Sequence, residues 1–472
     1  MTLRAGVTPG ADRDSVPTRD PASFRDPSGL VYRRDGTLYR QINQTSADDW
    51  QRLHSSGLYA ELVGRGWLLE HEDAPLTERF DDLAWRVVRP VEVGFIGYPY
   101  EWTFGQLKDA ALLTLDIQSA ALRVGMQLKD ASAYNVQFHA GRPVLIDGLS
   151  LARAPDDAPW VAYRQFCQHF LAPLTLMAQR DVRLGVMLRD FIDGIPLDLA
   201  AGLLPASSRL RFGLASHLHL HARAQRTHAG NGASSGQPPK LSRGRLEALL
   251  DSLRGAVDGL RWQPAGTEWA EYGETTSYSP AAAADKVRLV RELLGRTDGR
   301  WVWDLGANTG YFSRLASDLG RQVLALDGDA AAAERHYRYL REIGSSSVLP
   351  LVMDLANPSP ALGWAGTERR SLFERANADV LMALALVHHL AIGNNVPLPM
   401  LSSFFARLGS QLIVEFVPKS DPRVIAMLAS RQDVFTDYSL EGFRAAFAAD
   451  WEAVEEQPVT DSERVLFLFR RR

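Results

Sequence analysis

The sequence predicts an α/β protein whose C-terminal half is built on a parallel sheet, preceded by an α+β domain. Three observations predict this. Five short apolar runs recur after residue 300, helical patterns separate them, and the first half opens on alternating segments around a tight turn. The runs are WVWDLG (301–306), QVLALDGD (322–329), VLPLVMDL (348–355), DVLMALAL (379–386) and QLIVEFV (411–417). Continuous apolar runs, rather than alternating ones, mark strands buried on both faces, and the intervening helices make them βαβ units. RVLFLFRRR (464–472) is expected to close the sheet as an edge strand.

The first half follows different punctuation. Residues 1–27 are rich in Pro, Asp, Ser and Arg without hydrophobic period, which predicts a disordered tail. LVYRR and TLYRQI flank Asp35-Gly36, a dipeptide that favours a hairpin turn. Apolar residues at three- and four-residue spacing predict a helix over 107–122. The Gly/Ser/Pro stretch HAGNGASSGQPPK (228–240) reads as a linker or surface loop. The expected division is a tail at 1–27, an N-terminal domain at 28–227, a linker and connecting helix at 228–262, and a C-terminal domain at 263–472.

Composition narrows the function classes. A chain of 472 residues is long enough for two or three domains at roughly 150 residues each, so it is no single small binding module. Its net charge of -4 gives no overall signal for nucleic acid. Cys167 stands alone, which removes intramolecular disulfides and cysteine-based zinc sites and fits a reducing, cytoplasmic setting. No apolar stretch approaches the ~18 residues of a membrane span. No internal repeat is present.

The most informative segment is Asp304-Leu-Gly306-Ala307-Asn308-Thr-Gly310, between an expected strand and an expected helix. Glycines at such a turn let backbone approach a ligand. A dinucleotide-binding G-x-G-x-x-G starting at Gly306 would need glycines at 308 and 311, where Asn308 and Tyr311 stand, so the nicotinamide reading is weak. The segment resembles motif I of the class I S-adenosylmethionine (SAM) methyltransferases, with Asn308 in the place of the middle glycine. The resemblance covers about residues 265–472 and implies a Rossmann-like seven-stranded domain with SAM as cofactor. It implies that Asp327, with Gly328, holds the ribose hydroxyls, a task suited to a group that only accepts hydrogen bonds. It places Asp354 and Leu355 beside the adenine. It also places Ala383 and the segment Leu386-Val-His388-His389-Leu390 beside the methyl donor. Either histidine could serve as a base, with one packed histidine and one wall residue as the alternative. WAEYGETTSYSPAAAADK (269–286) is similar to the family's lead-in helix, where Trp269 or Tyr278 would cover the cofactor or simply pack. No Asn-Pro-Pro-aromatic segment is present, which turns the expectation away from nucleic-acid and amide acceptors.

In the first half, Asp130, Asn135 and Asp147 occur at the spacing D-x4-N-x11-D, around two short strands. This resembles the catalytic loop and metal-binding aspartate of the protein-kinase and aminoglycoside-phosphotransferase folds, and implies a kinase-like scaffold with a nucleotide and magnesium site. Lys108 is the first lysine of the chain, so the phosphate-binding lysine of that family is absent and only Arg40 offers a substitute. His217, His219 and His221 lack a nearby carboxylate or third ligand on one helical face, and read as packed or solvated rather than metal-binding.

Together these readings predict a SAM-dependent methyltransferase acting on a small-molecule or glycan-like acceptor that the N-terminal domain selects. Two alternatives remain at the level of sequence. One is a scaffold with a degenerate kinase-like domain and a SAM-sensing domain; the other is a bifunctional phosphotransferase and methyltransferase using Mg-ATP.

Overall fold

The computed structural model describes residues 16–220, 241–264, 279–429 and 431–472. The first half opens on an antiparallel sheet of β1 (Thr18–Arg19), β2 (Gly29–Arg34), β3 (Thr37–Asn43), β4 (His71–Ala74) and β5 (Ala84–Pro90), in the order β1-β2-β3-β5-β4. The β2–β3 turn is made by Asp35 (φ 50°) and Gly36 (φ 78°). Both left-handed values match the twist of the flanking strands, which explains the Asp-Gly pair. Residues 16–27 depart from the expected disordered tail. β1 pairs with β2, and Arg25 forms a two-pronged ion pair with Glu368 in the other half of the chain (2.7 and 2.9 Å). Residues 1–15 and the 228–240 stretch lie outside the described residues.

The central helix of this half, Phe104–Arg123, starts where Thr103 and Gln106 exchange backbone and side-chain hydrogen bonds. It is buried around most of its circumference. Beyond it come β6 (Met126–Leu128), β7 (Val136–His139), β8 (Arg142–Leu145) and β9 (Leu151–Arg153), paired β6 with β9 and β7 with β8. The helix Arg243–Asp258 lies against Phe104–Arg123 through an Arg254–Asp116 ion pair and through Lys108, whose Nζ donates to the carbonyls of Asp258 and Leu260 (both 3.0 Å). The expected connecting helix is therefore packed onto the first half.

The C-terminal half is a seven-stranded sheet of β10 (Trp301–Leu305), β11 (Gln322–Asp327), β12 (Val348–Val352), β13 (Ala378–Ala383), β14 (Gly409–Phe416), β15 (Trp451–Pro458) and β16 (Val465–Arg471). Its order is β12-β11-β10-β13-β14-β16-β15; β10 to β14 run parallel and β16 runs antiparallel to both neighbours. Thus β16, expected at the edge, lies inside the sheet. The edge is β15, WEAVEEQP, whose exposed glutamates kept it from reading as a strand. The strand order reverses between β10 and β13, which opens a crevice at their C-terminal ends.

The halves share one apolar core. The Phe95 ring meets the Trp303 ring edge-on at 5.5 Å. Polar ties cross the same interface: Gln106 Nε2 donates to the Pro350 carbonyl (3.0 Å), and Gly105 N–H donates to Glu334 (2.8 Å). Arg375 clasps Glu101 with two hydrogen bonds (2.9 and 2.5 Å), both side chains being buried.

Candidate functional site between the two halves

The sheet delivers its chemistry at the C-terminal end of β10. Asp304 is buried there and accepts a hydrogen bond from Ser313 Oγ (2.6 Å). The chain then turns through Gly306 (φ 76°), Asn308 (φ 50°) and Gly310 (φ 77°) before entering the helix Tyr311–Asp318. A Cβ on Gly310 would lie 2.0 Å from the His336 ring, so this glycine lets helix and sheet pack closely. Asn308 takes a left-handed conformation that asparagine tolerates better than most residues, and its own Oδ1 accepts the Thr309 N–H (2.6 Å). That accounts for asparagine in a glycine position.

Asp327 ends β11 beneath this turn. One carboxylate oxygen accepts the Asn308 N–H (2.6 Å) and the other the Asp329 N–H (2.8 Å). These bonds fix the carboxylate's orientation, and each oxygen keeps further acceptor capacity. Burial raises both Asp304 and Asp327 to about 6.

The turn opens onto a cavity of about 1860 Å³. Asp304, Gly306, Ala307, Asn308, Asp327, Gly328, Asp354 and Leu355 line it, so the structure gathers most of the expected cofactor residues around one space. Gly310 stands behind the wall against His336. Ala383 is buried in β13, and the wall begins one residue later, at Leu384. Asp354 is exposed, and its Oδ1 accepts the Ala356 N–H (2.9 Å).

The two histidines part company. The segment after β13 is helical rather than extended. His389 lines the cavity, whereas His388 is fully buried and lies outside the lining. Neither ring nitrogen of His388 has a hydrogen-bond partner among the described residues, and burial holds its pKa well below the usual value. Burial also lowers His389, to about 4.

Several lining residues escaped the sequence reading. Lys286 reaches the cavity from the helix Pro280–Gly295, with its Nζ held by Glu415 (2.7 Å) in a buried pair. Tyr100, Trp102, Arg180 and Arg189 line the cavity from the first half, and Trp262 from the stretch after the helix Arg243–Asp258, its carbonyl accepting from Arg338 (2.7 Å). The aromatic run GYPYEWTFG was the available signal; the arginines gave none. Trp269 and Tyr278, expected to cover the cofactor, lie outside the described residues.

Of the second expected constellation, Asn135 and Asp147 are joined through Ser150, while the hydrogen bond of Asp130 is local. Arg40 on β3 pairs with Asp147 Oδ1, Ser150 Oγ donates to Asp147 Oδ2 (2.8 Å), and Asn135 Nδ2 donates to Ser150 (3.0 Å). Burial works to raise the Asp147 pKa, and the Arg40 guanidinium and hydrogen bonds outweigh it, so the carboxylate is held below its ordinary range. Asp130 accepts the Ser132 N–H (2.9 Å). With its charge neutralised by Arg40, Asp147 is poorly matched to a magnesium ion. His217 bridges Tyr163 and Ser252 (2.8 and 2.9 Å), and His219 meets Ser208 (2.8 Å); both have structural partners, and His221 lies outside the described residues.

No family profile matches the chain. Over 463 residues it is 34% identical to the nodulation protein NoeA of Rhizobium meliloti (strain 1021), covering 96% of each chain. Among solved structures it is similar to the magnesium protoporphyrin IX methyltransferase ChlM of Synechocystis PCC 6803 with bound SAM. That match is 15% identical with a TM-score of 0.29, over 43% of this chain and 89% of that one. It is also similar to the bifunctional kinase-methyltransferase WbdD, at 13% identity and a TM-score of 0.30, over 46% of this chain and 44% of that one. The strand order, with its single reversed strand β16 inside the far edge, is that of the class I SAM-dependent methyltransferase fold. The chain belongs to the family of the nodulation protein NoeA, with that fold as its C-terminal half.

Proposed function

We propose that the protein binds SAM at the β10–β11 end of the cavity and transfers its methyl group to a small-molecule or glycan-like acceptor held against the N-terminal half. The observation that carries this reading is the Asp327 carboxylate, oriented by two backbone N–H groups at the rim of the left-handed turn. An acceptor-only group so placed suits a ribose diol. Gly306 and Ala307 offer close backbone approach, and Asp354 with Leu355 forms the wall expected against an adenine. When bound, SAM supplies a methyl group on a positively charged sulfur.

The chain's own residues do the positioning. An acceptor nucleophile gains reactivity mainly by being held in line at near-attack distance, which fixed walls on both sides accomplish. His389 is a wall residue whose ring, kept neutral by burial, can accept a hydrogen bond from an acceptor hydroxyl, while the same burial, which lowers it to about 4, makes it a weak proton acceptor. His388 serves the packing beneath it.

Radiolabelled methyl-SAM incubated with a whole-cell extract that is size-fractionated after the reaction tests the activity. Transfer to a small molecule is expected with the wild-type chain, with loss on Asp327→Ala. Label appearing only on macromolecules, or none above the Asp327→Ala background, would overturn the reading.

A further inference from the structure

The cavity reaches well past the cofactor residues. Sites for one small molecule commonly enclose about 300–1,000 Å³, and this one, at about 1860 Å³, has room for a second occupant. Both halves of the chain bring charged side chains to it. On the C-terminal half Asp304, Asp327, Asp329 and Asp354 line it, accompanied by Lys286, which Glu415 holds, and by Arg314, which donates to the Thr309 carbonyl; from the N-terminal half Arg180, Arg183 and Arg189 line it with Asp181.

These arginines are not equivalent. Arg183 is spent on Asp181, its Nη2 lying 2.5 Å from that carboxylate. Arg180 commits its Nε to the Leu203 carbonyl (2.5 Å), which braces the side chain, and among the described residues the rest of the guanidinium has no partner. Arg189 is half-buried with no ion-pair partner among the described residues. An independent observation points to the same part of the cavity, where Pro99–Glu101 packs against Val182–Val186 and Met187–Asp190. Tyr100, 7% exposed, lines the cavity, and its buried hydroxyl has no hydrogen-bond partner among the described residues. Native structures rarely leave a buried hydroxyl unmatched, and a ligand oxygen would match it. Beside it, Trp102 gives an apolar wall.

We propose that the methyl acceptor carries an anionic group, a phosphate or a carboxylate, which docks on Arg180 and Arg189 with the Tyr100 hydroxyl donating to it. The inference rests on the methyltransferase reading and adds the acceptor's chemistry. A guanidinium fork matches both oxyanions, and of the cavity's cations Lys286 is held by Glu415 and Arg183 by Asp181.

The test is calorimetric titration of inorganic pyrophosphate and of citrate into the full-length protein saturated with S-adenosylhomocysteine. One-to-one binding of at least one probe is expected, and the tighter probe shows whether phosphate or carboxylate is favoured. Arg180→Gln with Arg189→Gln should weaken it by about tenfold or more, while Arg189→Lys alone retains much of it. Tyr100→Phe should weaken the probe and leave the melting temperature unchanged or higher, because it removes an unmatched hydroxyl. S-adenosylhomocysteine binding without either anion, or anion binding equal in wild type and the double variant, would overturn the inference. If S-adenosylhomocysteine fails to bind the wild type, the methyltransferase reading fails instead, and the anion titrations repeated without it still decide the arginine site.

Discussion

At the scale of single residues, the site depends on carboxylates held in a costly environment. Asp304 and Asp327 both titrate near 6, above the ordinary carboxylate range, because burial disfavours their charge. A raised folded-state value means the folded protein binds more protons than the unfolded chain between about pH 4 and 6. These groups therefore lower stability as pH rises through that window, with the full penalty above it. For the cofactor the dependence runs the other way, since two ribose hydroxyls need the ionised form of Asp327. SAM affinity should be level above about pH 7 and fall by up to about tenfold per unit below pH 6, a trend that calorimetry across pH reads directly. Asp327→Asn should flatten it, and an unchanged inflection in that variant would assign the titration elsewhere. That Asp304 and Asn308 sit at a strand-to-helix turn and Asp327 at the end of the next strand was legible in the sequence because such patterns are local. The separation of His388 from His389 was not, because it turns on the backbone becoming helical after β13.

At the scale of elements, apolar runs marked β10 to β14 well, each within a few residues of its observed bounds. The expected helix over 107–122 occupies Phe104–Arg123. β15 was illegible because this edge strand, WEAVEEQP, is exposed or half-buried at every position after Trp451 and so has neither a regular alternation nor the buried run that marks its neighbours. The turn–helix element makes a sharper prediction. Gly310→Ala forces a Cβ into the His336 ring at a left-handed φ, and should cost about 2–4 kcal/mol in denaturant unfolding. Asn308→Gly, which only relaxes a tolerated conformation, should stay within about 1 kcal/mol of wild type. Equal effects at the two positions would contradict the packing account.

At the scale of the whole molecule, the two halves form one body around a shared cavity. A linker motif in the sequence suggested separable domains, yet Phe95, Tyr98 and Leu107 lie in the same apolar cluster as Trp303, Leu324 and Leu351. Contacts between residues hundreds of positions apart leave no local pattern, so neither this core nor the arginine-lined part of the cavity could be read beforehand. The buried Glu101–Arg375 pair pins the interface. Glu101→Ala strands the guanidinium without its counter-charge and should cost about 3–5 kcal/mol. It should also loosen the cavity, seen as weaker SAM binding in calorimetry at a temperature where the variant remains folded. Unfolding as stable as wild type would show that this ion pair does not hold the halves together.

The most direct test of the central claim is the affinity of the full-length protein for SAM, measured calorimetrically beside Asp327→Ala. Losing both ribose hydrogen bonds should cost roughly 2–3 kcal/mol, on the order of a hundredfold in affinity. Tight wild-type binding with that loss places the cofactor at the end of β11, whereas no wild-type binding, or equal binding by the variant, would contradict it.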